Sequence, residues 1–245
     1  MPSLSKSVIS KIKSLGIKKY RDKFKLFIAE GITLVSEIQL STFKIDGLFA
    51  TKAWIGNNPE SSAIEVSAKE LSRLSSLKTP NEVLCVVEIP QHGFNAKKLN
   101  GLSLVLDNIS DPGNMGSIIR TADWFGIEHI FCSKNSADIY NPKVVQASMG
   151  SITRVKVHYV ELIPFIESCN GKYPVYGLAL DGKNMYNKEI KRDALLVIGN
   201  ESQGISEEVA SLLTDSIGIP AFGGAESLNA AVATAIACYE YNRKI

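Results

Sequence analysis

Residues 106–122 read Leu-Asp-Asn-Ile-Ser-Asp-Pro-Gly-Asn-Met-Gly-Ser-Ile-Ile-Arg-Thr-Ala, a stretch in which one element ends and another begins. The residues just before it alternate Ser and Val with Leu, which is typical of a buried strand. Asp-Pro-Gly at 111–113 then interrupts the extended run, and Asn114 is a residue type that caps the start of helices. The stretch therefore predicts a strand, a tight turn and a helix, in that order.

The predicted helix has one apolar side and one charged side chain away from it. Apolar residues recur at positions 115, 118, 119, 122 and 125, which places them on a single stripe that faces a core. Arg120 lies off this stripe, close to Gly113 and Gly116, where a ligand can approach the backbone. A guanidinium there suits a phosphate or a developing negative charge, although an arginine that only solvates a helix fits this stretch equally well.

The N-terminal end holds most of the positive charge. The 245-residue chain has a formal net charge of +2, whereas residues 1–25 contain eight Lys or Arg and one acid. Such asymmetry predicts contact with a polyanion through this end. The basic run continues into residues 24–31, which read as structured domain, so a transit peptide is disfavoured. The candidate polyanion contacts are Lys18, Lys19, Arg21, Lys23 and Lys25.

The cysteines and histidines predict neither a disulfide nor a metal site. The four cysteines are widely spaced without a Cys-x-x-Cys pair, and His92, His129 and His158 are isolated from one another. The sequence has no signal peptide and no apolar run long enough to cross a bilayer. We therefore expect a cytoplasmic protein with free thiols, no metal and no membrane association.

Length and hydrophobic patterning predict two domains. Residues 24–88 read as a small α/β unit, with strands at 24–29, 46–50, 63–66 and 83–88 and helices at 31–40 and 68–74. Residues 89–101 lose this periodicity and gather Pro, Gly, Asn and Lys, which is typical of a linker. We place the two domains at 1–95 and 96–245.

From residue 102 onward, predicted strands alternate with predicted helices. The strands lie near 103–107, 128–132, 154–159, 174–180, 194–198 and 217–219, and the helices near 114–126, 141–149, 161–169, 206–213 and 227–243. This alternation predicts a parallel sheet covered on both faces. Ligands of such sheets bind beyond the carboxyl ends of the strands, so the loops there are the candidate site.

Two further loops follow predicted strands. Residues 195–206, LLVIGNESQGIS, lead an apolar strand into a turn bounded by glycines, with Ser206 as the cap of the next helix. Residues 217–229, IGIPAFGGAESLN, lead into the last helix, with Ser227 as its natural cap. The glycines permit close approach of a flat ligand, and each helix start offers unpaired N–H groups to a carboxylate. Neither loop matches a dinucleotide-binding fingerprint or a P-loop.

Together the three loops resemble the signature motifs of the SpoU (TrmH-type) RNA 2′-O-ribose methyltransferases in the SPOUT superfamily. The matching segments are 114–122, 199–204, 219–220 with 227–229, and a further family-like stretch at 141–150. Residues 20–88 more loosely resemble the small L7Ae/L30e-like RNA-binding domain that many members carry. The chain departs from the family pattern at Ala221 and at Ala230-Ala231, where no charged or ligand-reading group is removed.

The resemblance implies an α/β fold with a C-terminal α/β-knot domain, in which the parallel sheet ends in a deep trefoil knot, and a small N-terminal α/β RNA-binding domain. It also implies a homodimer packed through the knot and S-adenosylmethionine as the methyl donor. The implied cofactor contacts are Leu178 and Ala179 at the end of the fourth strand of the second domain, with Gly199, Asn200, Ile219, Ser227 and Leu228.

The implied reaction is transfer of a methyl group to a ribose 2′-hydroxyl. By match, the residues at the reacting centre are Arg120, Asn114, Glu201, Ser227 and Asn229. The family assigns Arg120 to activation of the hydroxyl. A guanidinium is effectively never deprotonated in a protein, so we interpret Arg120 as an electrostatic clamp rather than a general base.

Ribosomal RNA (23S) is the preferred substrate over transfer RNA because of the extra N-terminal domain. Two alternatives remain open at this point. A non-catalytic RNA-binding protein of the same fold is disfavoured by the intact Asn114, Arg120, Glu201 and Asn229. A phosphate-handling metabolic enzyme would leave the basic N-terminal segment without a purpose.

Overall fold

The computed structural model describes residues 4–77, 79–91, 93–94 and 99–244. The chain divides into two compact units. The first contains the residues up to Gln91 together with Asp138–Thr153, and the second contains the rest. The predicted domain boundary at residues 95 and 96 lies outside the described residues, as does His92.

The first unit is a four-stranded sheet with helices around it. Its elements are α1 (Lys6–Ser14), α2 (Lys18–Phe24), β1 (Leu26–Glu30), α3 (Ile32–Gln39), β2 (Ile45–Ala50), α4 (Lys52–Asn57), β3 (Ile64–Glu65), α5 (Ala68–Leu74) and β4 (Val83–Glu88). The strand order is β1-β4-β2-β3, with β4 antiparallel to both of its neighbours. The predicted strands and helices are confirmed to within about two residues at each end, whereas α4 was not predicted.

The amphipathic start of the chain is part of this core. Ile12 and Leu15 are buried against β1 and β4 residues such as Leu26 and Leu84. The charged side of the same helix remains exposed, so one segment provides both core packing and a basic surface.

The second unit contains a six-stranded sheet formed by described residues. Its strands, with the helices of the same part of the chain, are β5 (Leu102–Leu106), α6 (Pro112–Trp124), β6 (His129–Ser133), α7 (Pro142–Ser148), β7 (Lys156–Val160), α8 (Leu162–Cys169), β8 (Val175–Asn184), β9 (Ala194–Ile198), α9 (Glu207–Ala210), β10 (Asp215–Gly218) and α10 (Ala230–Lys244). The order is β10-β8-β9-β5-β6-β7, and every neighbouring pair is parallel, which confirms the predicted parallel α/β sheet.

The strand order reverses between β5 and β9, and this reversal positions the candidate loops. The chain leaves β5 toward β6 on one side, whereas β9 and β8 lie on the other side. Leu106 pairs with Ile198, so the first and second loops leave the sheet from adjacent positions. A crevice at such a reversal is the usual ligand site of an open parallel sheet.

Helix α7 belongs to the first unit, although its sequence lies between β6 and β7. It packs on β1, and the ring centroids of Phe27 and Tyr140 lie 4.8 Å apart. Arg21 is only 2% exposed, and its guanidinium donates to Asp138 Oδ2 at 2.6 Å and to the Leu15 carbonyl at 2.7 Å. The prediction of Arg21 as an RNA contact is therefore wrong, because its charge is buried and neutralised within the unit.

Candidate active site

The first loop is positioned by a helix that begins earlier than predicted. Asp111, not Asn114, is the N-cap of α6, and its side chain accepts the Asn114 N–H at 2.8 Å. Pro112 occupies the first helical position, where its missing N–H costs nothing. Asn114 is the third residue of the helix, so its own amide is free to contact other loops. The predicted apolar stripe is confirmed at positions 115, 118, 119 and 122, which are fully buried, whereas Phe125 follows the last residue of α6 and is half-buried.

The second loop closes on itself. The backbones of Asn200 and Gly204 exchange two hydrogen bonds of 2.9 Å, and Asn200 Oδ1 accepts the N–H groups of Ser202 and Gln203. A Cβ at Gly199 would lie 2.2 Å from the Gly204 carbonyl carbon. Gly199 therefore makes room for the backbone of its own loop, and its contact with a ligand stays a prediction.

The third loop ends at a different cap from the one predicted. Asn229, not Ser227, precedes α10, and its Oδ1 accepts the N–H groups of Ala231 at 3.0 Å and Val232 at 3.3 Å. Ser227 lies in the exposed loop before the helix. The predicted cap Ser206 does precede α9, but its side chain bonds to Asp107 instead of to the helix.

Three of the predicted catalytic side chains, one from each loop, form a single hydrogen-bond network. Asn114 Nδ2 donates to Glu201 Oε1, and Asn229 Nδ2 donates to Asn114 Oδ1 at 2.8 Å. The two bonded pairs are 87 and 115 positions apart in the sequence, so the fold alone brings them together. The Glu201 carboxylate is thereby held at the meeting point of all three loops.

A cavity of about 790 Å³ opens beside this network. Its walls come from β8, the second loop and the third loop, and all seven predicted cofactor contacts are among the lining residues: Leu178, Ala179, Gly199, Asn200, Ile219, Ser227 and Leu228. Glu201 also lines it. The volume lies within the usual range for pockets that bury a nucleoside-sized ligand.

The walls also contain residues that the sequence reasoning did not single out. Strand β8 continues to Asn184, so Leu178 and Ala179 lie within the strand and not at its end as predicted. Leu180 and Phe222 line the cavity and are 77% and 93% exposed. In the sequence Leu180 is one apolar residue of a predicted strand, and Phe222 is one apolar residue of the glycine-rich third loop. Both patterns are too common to identify a ligand wall.

Arg120 is exposed on α6 and does not line the cavity. Within the described part of the chain it forms no hydrogen bond or ion pair, so its guanidinium is available to a ligand. Lys18, Lys19, Lys23 and Lys25 are exposed in the first unit, at and just beyond α2. Four of the five predicted polyanion contacts are therefore accessible, and the fifth is the buried Arg21.

The four cysteines and the two described histidines, His129 and His158, are not among the residues that line the cavity. Cys85, Cys132, Cys169 and Cys238 are buried and, within the described chain, free of disulfides. Burial raises the pKa of Cys85 and of Cys238 to about 12, so these thiols stay protonated at neutral pH. Over residues 4–77, 79–91, 93–94 and 99–244, no group of three His, Cys, Asp or Glu is arranged to hold a metal.

The histidines are not all isolated as predicted. His129 Nδ1 and His158 Nε2 lie 3.1 Å apart on the neighbouring strands β6 and β7. Burial lowers the pKa of His129, with Glu128 opposing and Lys156 adding to the effect.

Two regions of the chain match known protein families. Residues 101–239 match the model of the SpoU rRNA Methylase family, and residues 6–85 match the MRM3-like substrate binding domain. The chain belongs to the SpoU methylase family. In the part that the structure describes, no helix is long and apolar enough to cross a membrane.

Individual members of the SpoU family resemble the chain over nearly its full length. The 23S rRNA (guanosine(2553)-2′-O)-methyltransferase RlmP of Bacillus subtilis is 30% identical over 93% of this chain and 92% of its own. A TrmH-family protein from Porphyromonas gingivalis is 37% identical, covers 100% of both chains and has a TM-score of 0.90. The SpoU methyltransferase AviRb from Streptomyces viridochromogenes, solved with AdoMet, is 26% identical over 98% of both chains with a TM-score of 0.87.

Proposed function

We propose that this SpoU-family protein is an RNA methyltransferase that transfers the methyl group of S-adenosylmethionine to a ribose 2′-hydroxyl of ribosomal RNA. The single observation that carries the proposal is the Asn114–Glu201–Asn229 network at the edge of a nucleoside-sized cavity. The similarity to a 23S rRNA 2′-O-methyltransferase over 93% of the chain supports the choice of substrate.

The cavity fits the methyl donor in both size and chemistry. S-adenosylmethionine supplies a methyl group on a positively charged sulfur, and that charge is lost as the methyl moves to the attacking oxygen. Leu178, Ala179, Ile219 and Leu228 give the cavity apolar walls, which suit a reaction in which charge is lost, while Asp181, Glu201 and Glu226 also line it. Gly199 and Asn200 line the cavity from the second loop.

Arg120 acts in this proposal on the ribose and its neighbouring phosphate. Its exposed guanidinium, on the same helix as Asn114, can bind a phosphate through two parallel N–H groups. Held there, its charge stabilises the oxygen as negative charge develops during attack. Asn114, Glu201, Ser227 and Asn229 orient the ribose and the loops.

The first unit binds RNA in this proposal. Lys18, Lys19, Lys23 and Lys25 present exposed positive charge, and Tyr20 stacks on Phe24 beside them with ring centroids 6.3 Å apart. Exposed cations attract the phosphate backbone without regard to sequence, while aromatic rings offer stacking surfaces to unpaired bases.

We further infer a homodimer that packs through a knotted C-terminal region, in a cytoplasmic protein. Trp124 on α6 and Val232 and Tyr239 on α10 are 84%, 49% and 60% exposed, so this pair of packed helices leaves three large hydrophobic side chains at the surface. Val232→Glu and Tyr239→Glu are expected to give monomers in sedimentation equilibrium, whereas Val8→Glu on α1 leaves the dimer intact. A monomeric wild-type protein would remove this part of the proposal.

The test of the activity uses purified protein, labelled S-adenosylmethionine and separate pools of unmodified ribosomal and transfer RNA. We expect methyl transfer to ribosomal RNA, with the label mapping to one 2′-oxygen. Methyl transfer to tRNA alone would show that the substrate is tRNA and not ribosomal RNA. Tight RNA binding without transfer to either pool would identify a non-catalytic member of the family and overturn the proposal.

A further inference from the structure

Residues outside the family motifs connect the second loop to the end of β5 through hydrogen bonds. Asp107 follows the last residue of β5 and is 3% exposed. Its Oδ2 accepts the Ser206 N–H at 2.8 Å and the Ser206 hydroxyl at 2.7 Å. Its Oδ1 accepts Asn108 Nδ2 at 3.0 Å.

The groups that donate hydrogen bonds to the Asp107 carboxylate are neutral. Among the residues that the structure places, none forms an ion pair with Asp107. Hydrogen bonds to a buried carboxylate are stronger than those between neutral groups, because the charge is poorly solvated by anything else. Ser206 contributes both a backbone and a side-chain donor, so its position is closely defined.

A further hydrogen bond holds the other end of the loop. Asn200 Nδ2 donates to the Asn108 carbonyl at 2.9 Å. Asn108 has a left-handed backbone with φ of 57°, and its N–H donates to Ser133 Oγ at 2.9 Å. An Asn tolerates this conformation better than most residues, and the neighbouring strand β6 thereby fixes the carbonyl that receives Asn200.

Both sets of hydrogen bonds hold the same closed loop. Asn200 and Ser206 bracket Glu201, whose carboxylate meets Asn114, and Asn200 adjoins Gly199, whose backbone lines the cavity. The two backbone hydrogen bonds between Asn200 and Gly204 couple the two ends of the intervening turn. A shift at Ser206 therefore displaces the cavity wall and the Glu201 carboxylate together.

We infer that Asp107 and Ser206 are positioning residues that preorganise the second loop for the methyl donor and hold Glu201 at the reacting centre. The inference rests on the proposed function of the cavity. Neither residue lines the cavity, so both act through Gly199, Asn200 and Glu201.

The experiment compares Ser206→Ala, Ser206→Thr and Ser211→Ala in the full-length protein. Ser206→Ala removes the hydroxyl donor to Asp107 but keeps the backbone donor. Ser206→Thr keeps both. Ser211→Ala is the matched control, because among the described residues the exposed Ser211 hydroxyl donates to the Glu208 carbonyl and not to Asp107. Asp107→Asn tests the carboxylate itself with little change in shape.

The readouts are S-adenosylhomocysteine affinity by calorimetry, single-turnover methylation at saturating donor, and thermal denaturation. We expect Ser206→Ala and Asp107→Asn to weaken affinity by about tenfold or more and to slow the single turnover as well, because the first loses a hydrogen bond to the buried carboxylate and the second replaces that carboxylate with a neutral amide. Ser206→Thr and Ser211→Ala are expected to match the wild type in both measurements.

Two results would overturn the inference. One is a folded Ser206→Ala protein with wild-type affinity and rate, whatever its melting temperature. The other is a Ser206→Thr protein as impaired as Ser206→Ala, since the retained hydroxyl would then be irrelevant. Failure of the proposed function looks different, because the wild type itself would neither bind S-adenosylhomocysteine nor methylate RNA.

Discussion

At the scale of single residues, Arg120 is the side chain whose role is most directly testable. Its exposure and the lack of a partner among the described residues mean that Arg120→Ala leaves the fold and donor affinity nearly unchanged. Methyl transfer is expected to fall by roughly 10²–10³-fold, the usual effect of losing one preorganised charge-stabilising donor. Single-turnover methylation measures the rate, and calorimetry measures donor affinity.

Arg120→Lys separates a clamp from a general base. Lysine retains the charge but lacks the planar pair of donors, and it releases a proton more readily. A clamp predicts poor rescue at every pH, whereas a base predicts recovery as the pH approaches the lysine pKa. Near-native transfer by Arg120→Ala would contradict both roles.

A side chain at Gly199 is expected to disturb the loop itself before it meets a ligand. Even a methyl group at this position would overlap the Gly204 carbonyl, since the ideal Cβ lies 2.3 Å from that oxygen. Gly199→Ala is therefore expected to open the loop at a cost of about 1–3 kcal/mol and to weaken donor binding, measured by calorimetry.

Gly56→Ala is the control, because its Cβ would meet nothing within 4 Å in α4. If the effect comes from loop closure, Gly199→Val is expected to weaken donor affinity in the same way as Gly199→Ala. Full affinity in Gly199→Ala together with abolished affinity in Gly199→Val would restore the explanation from ligand binding.

At the scale of elements, Asn229 both caps α10 and joins the catalytic network. Asn229→Ala loses both functions and is expected to destabilise the protein by about 0.5–2 kcal/mol. Asn229→Asp keeps the capping oxygen, and a carboxylate suits a helix N-terminus. It cannot donate to Asn114 Oδ1, so activity is expected to fall while stability is retained.

Denaturant unfolding and single-turnover methylation distinguish the two losses. A flip of the Asn114 amide would not rescue Asn229→Asp, because the amide oxygen would then face Glu201. Wild-type activity in Asn229→Asp would show that the bond between the two asparagines has no part in the reaction.

The paired strands β6 and β7 are expected to make stability depend on pH near neutrality. Burial lowers the pKa of His129 below its ordinary value of 6.5, so the folded state favours the neutral ring. The resulting stability is present above about pH 6.5 and is lost as the pH falls toward the folded pKa, because the unfolded chain binds the proton more tightly. His129→Gln is expected to show a smaller loss of unfolding free energy between about pH 7.5 and pH 5.5 than the wild type. Identical pH profiles would contradict this assignment.

At the scale of the whole molecule, the basic N-terminal segment serves two purposes. Lys18 and Lys23 are exposed, so Lys18→Glu with Lys23→Glu is expected to weaken RNA binding without affecting donor affinity. The slope of log K against log salt is expected to fall by roughly 0.7 for each single-strand phosphate that the protein no longer neutralises. Lys44→Glu with Lys69→Glu changes the charge equally at exposed positions elsewhere in the first unit. Equal salt slopes for the two double variants would contradict a localised RNA surface.

Arg21 stands in the same basic run but has the opposite role. Arg21→Gln is expected to destabilise the protein by about 3–5 kcal/mol, because it leaves the Asp138 carboxylate, 15% exposed, without its partner. Its RNA salt slope is expected to match the wild type under conditions where both are folded.

Local patterns in the sequence were sufficient for most of the architecture. Hydrophobic periodicity located the parallel strands of the second unit and the apolar side of α6, because a period of two or 3.6 residues is a property of neighbouring positions. The resemblance of the loops after β9 and β10 to the family motifs pointed to five of the seven cavity-lining residues, and the match at β8 pointed to Leu178 and Ala179. Parallel strands bring such loops to one edge of the sheet.

Only the tertiary structure settled which of several suitable residues performs each task. Asp111 and Asn229 cap their helices in place of Asn114 and Ser227, since any Asp, Asn or Ser near a helix start satisfies the local rule. Arg21 is buried because Asp138, 117 positions away, receives its charge. Asn114 meets Asn229 across 115 positions. Which residue performs each task depends on interactions between distant segments, and no local pattern in a single sequence reveals such interactions.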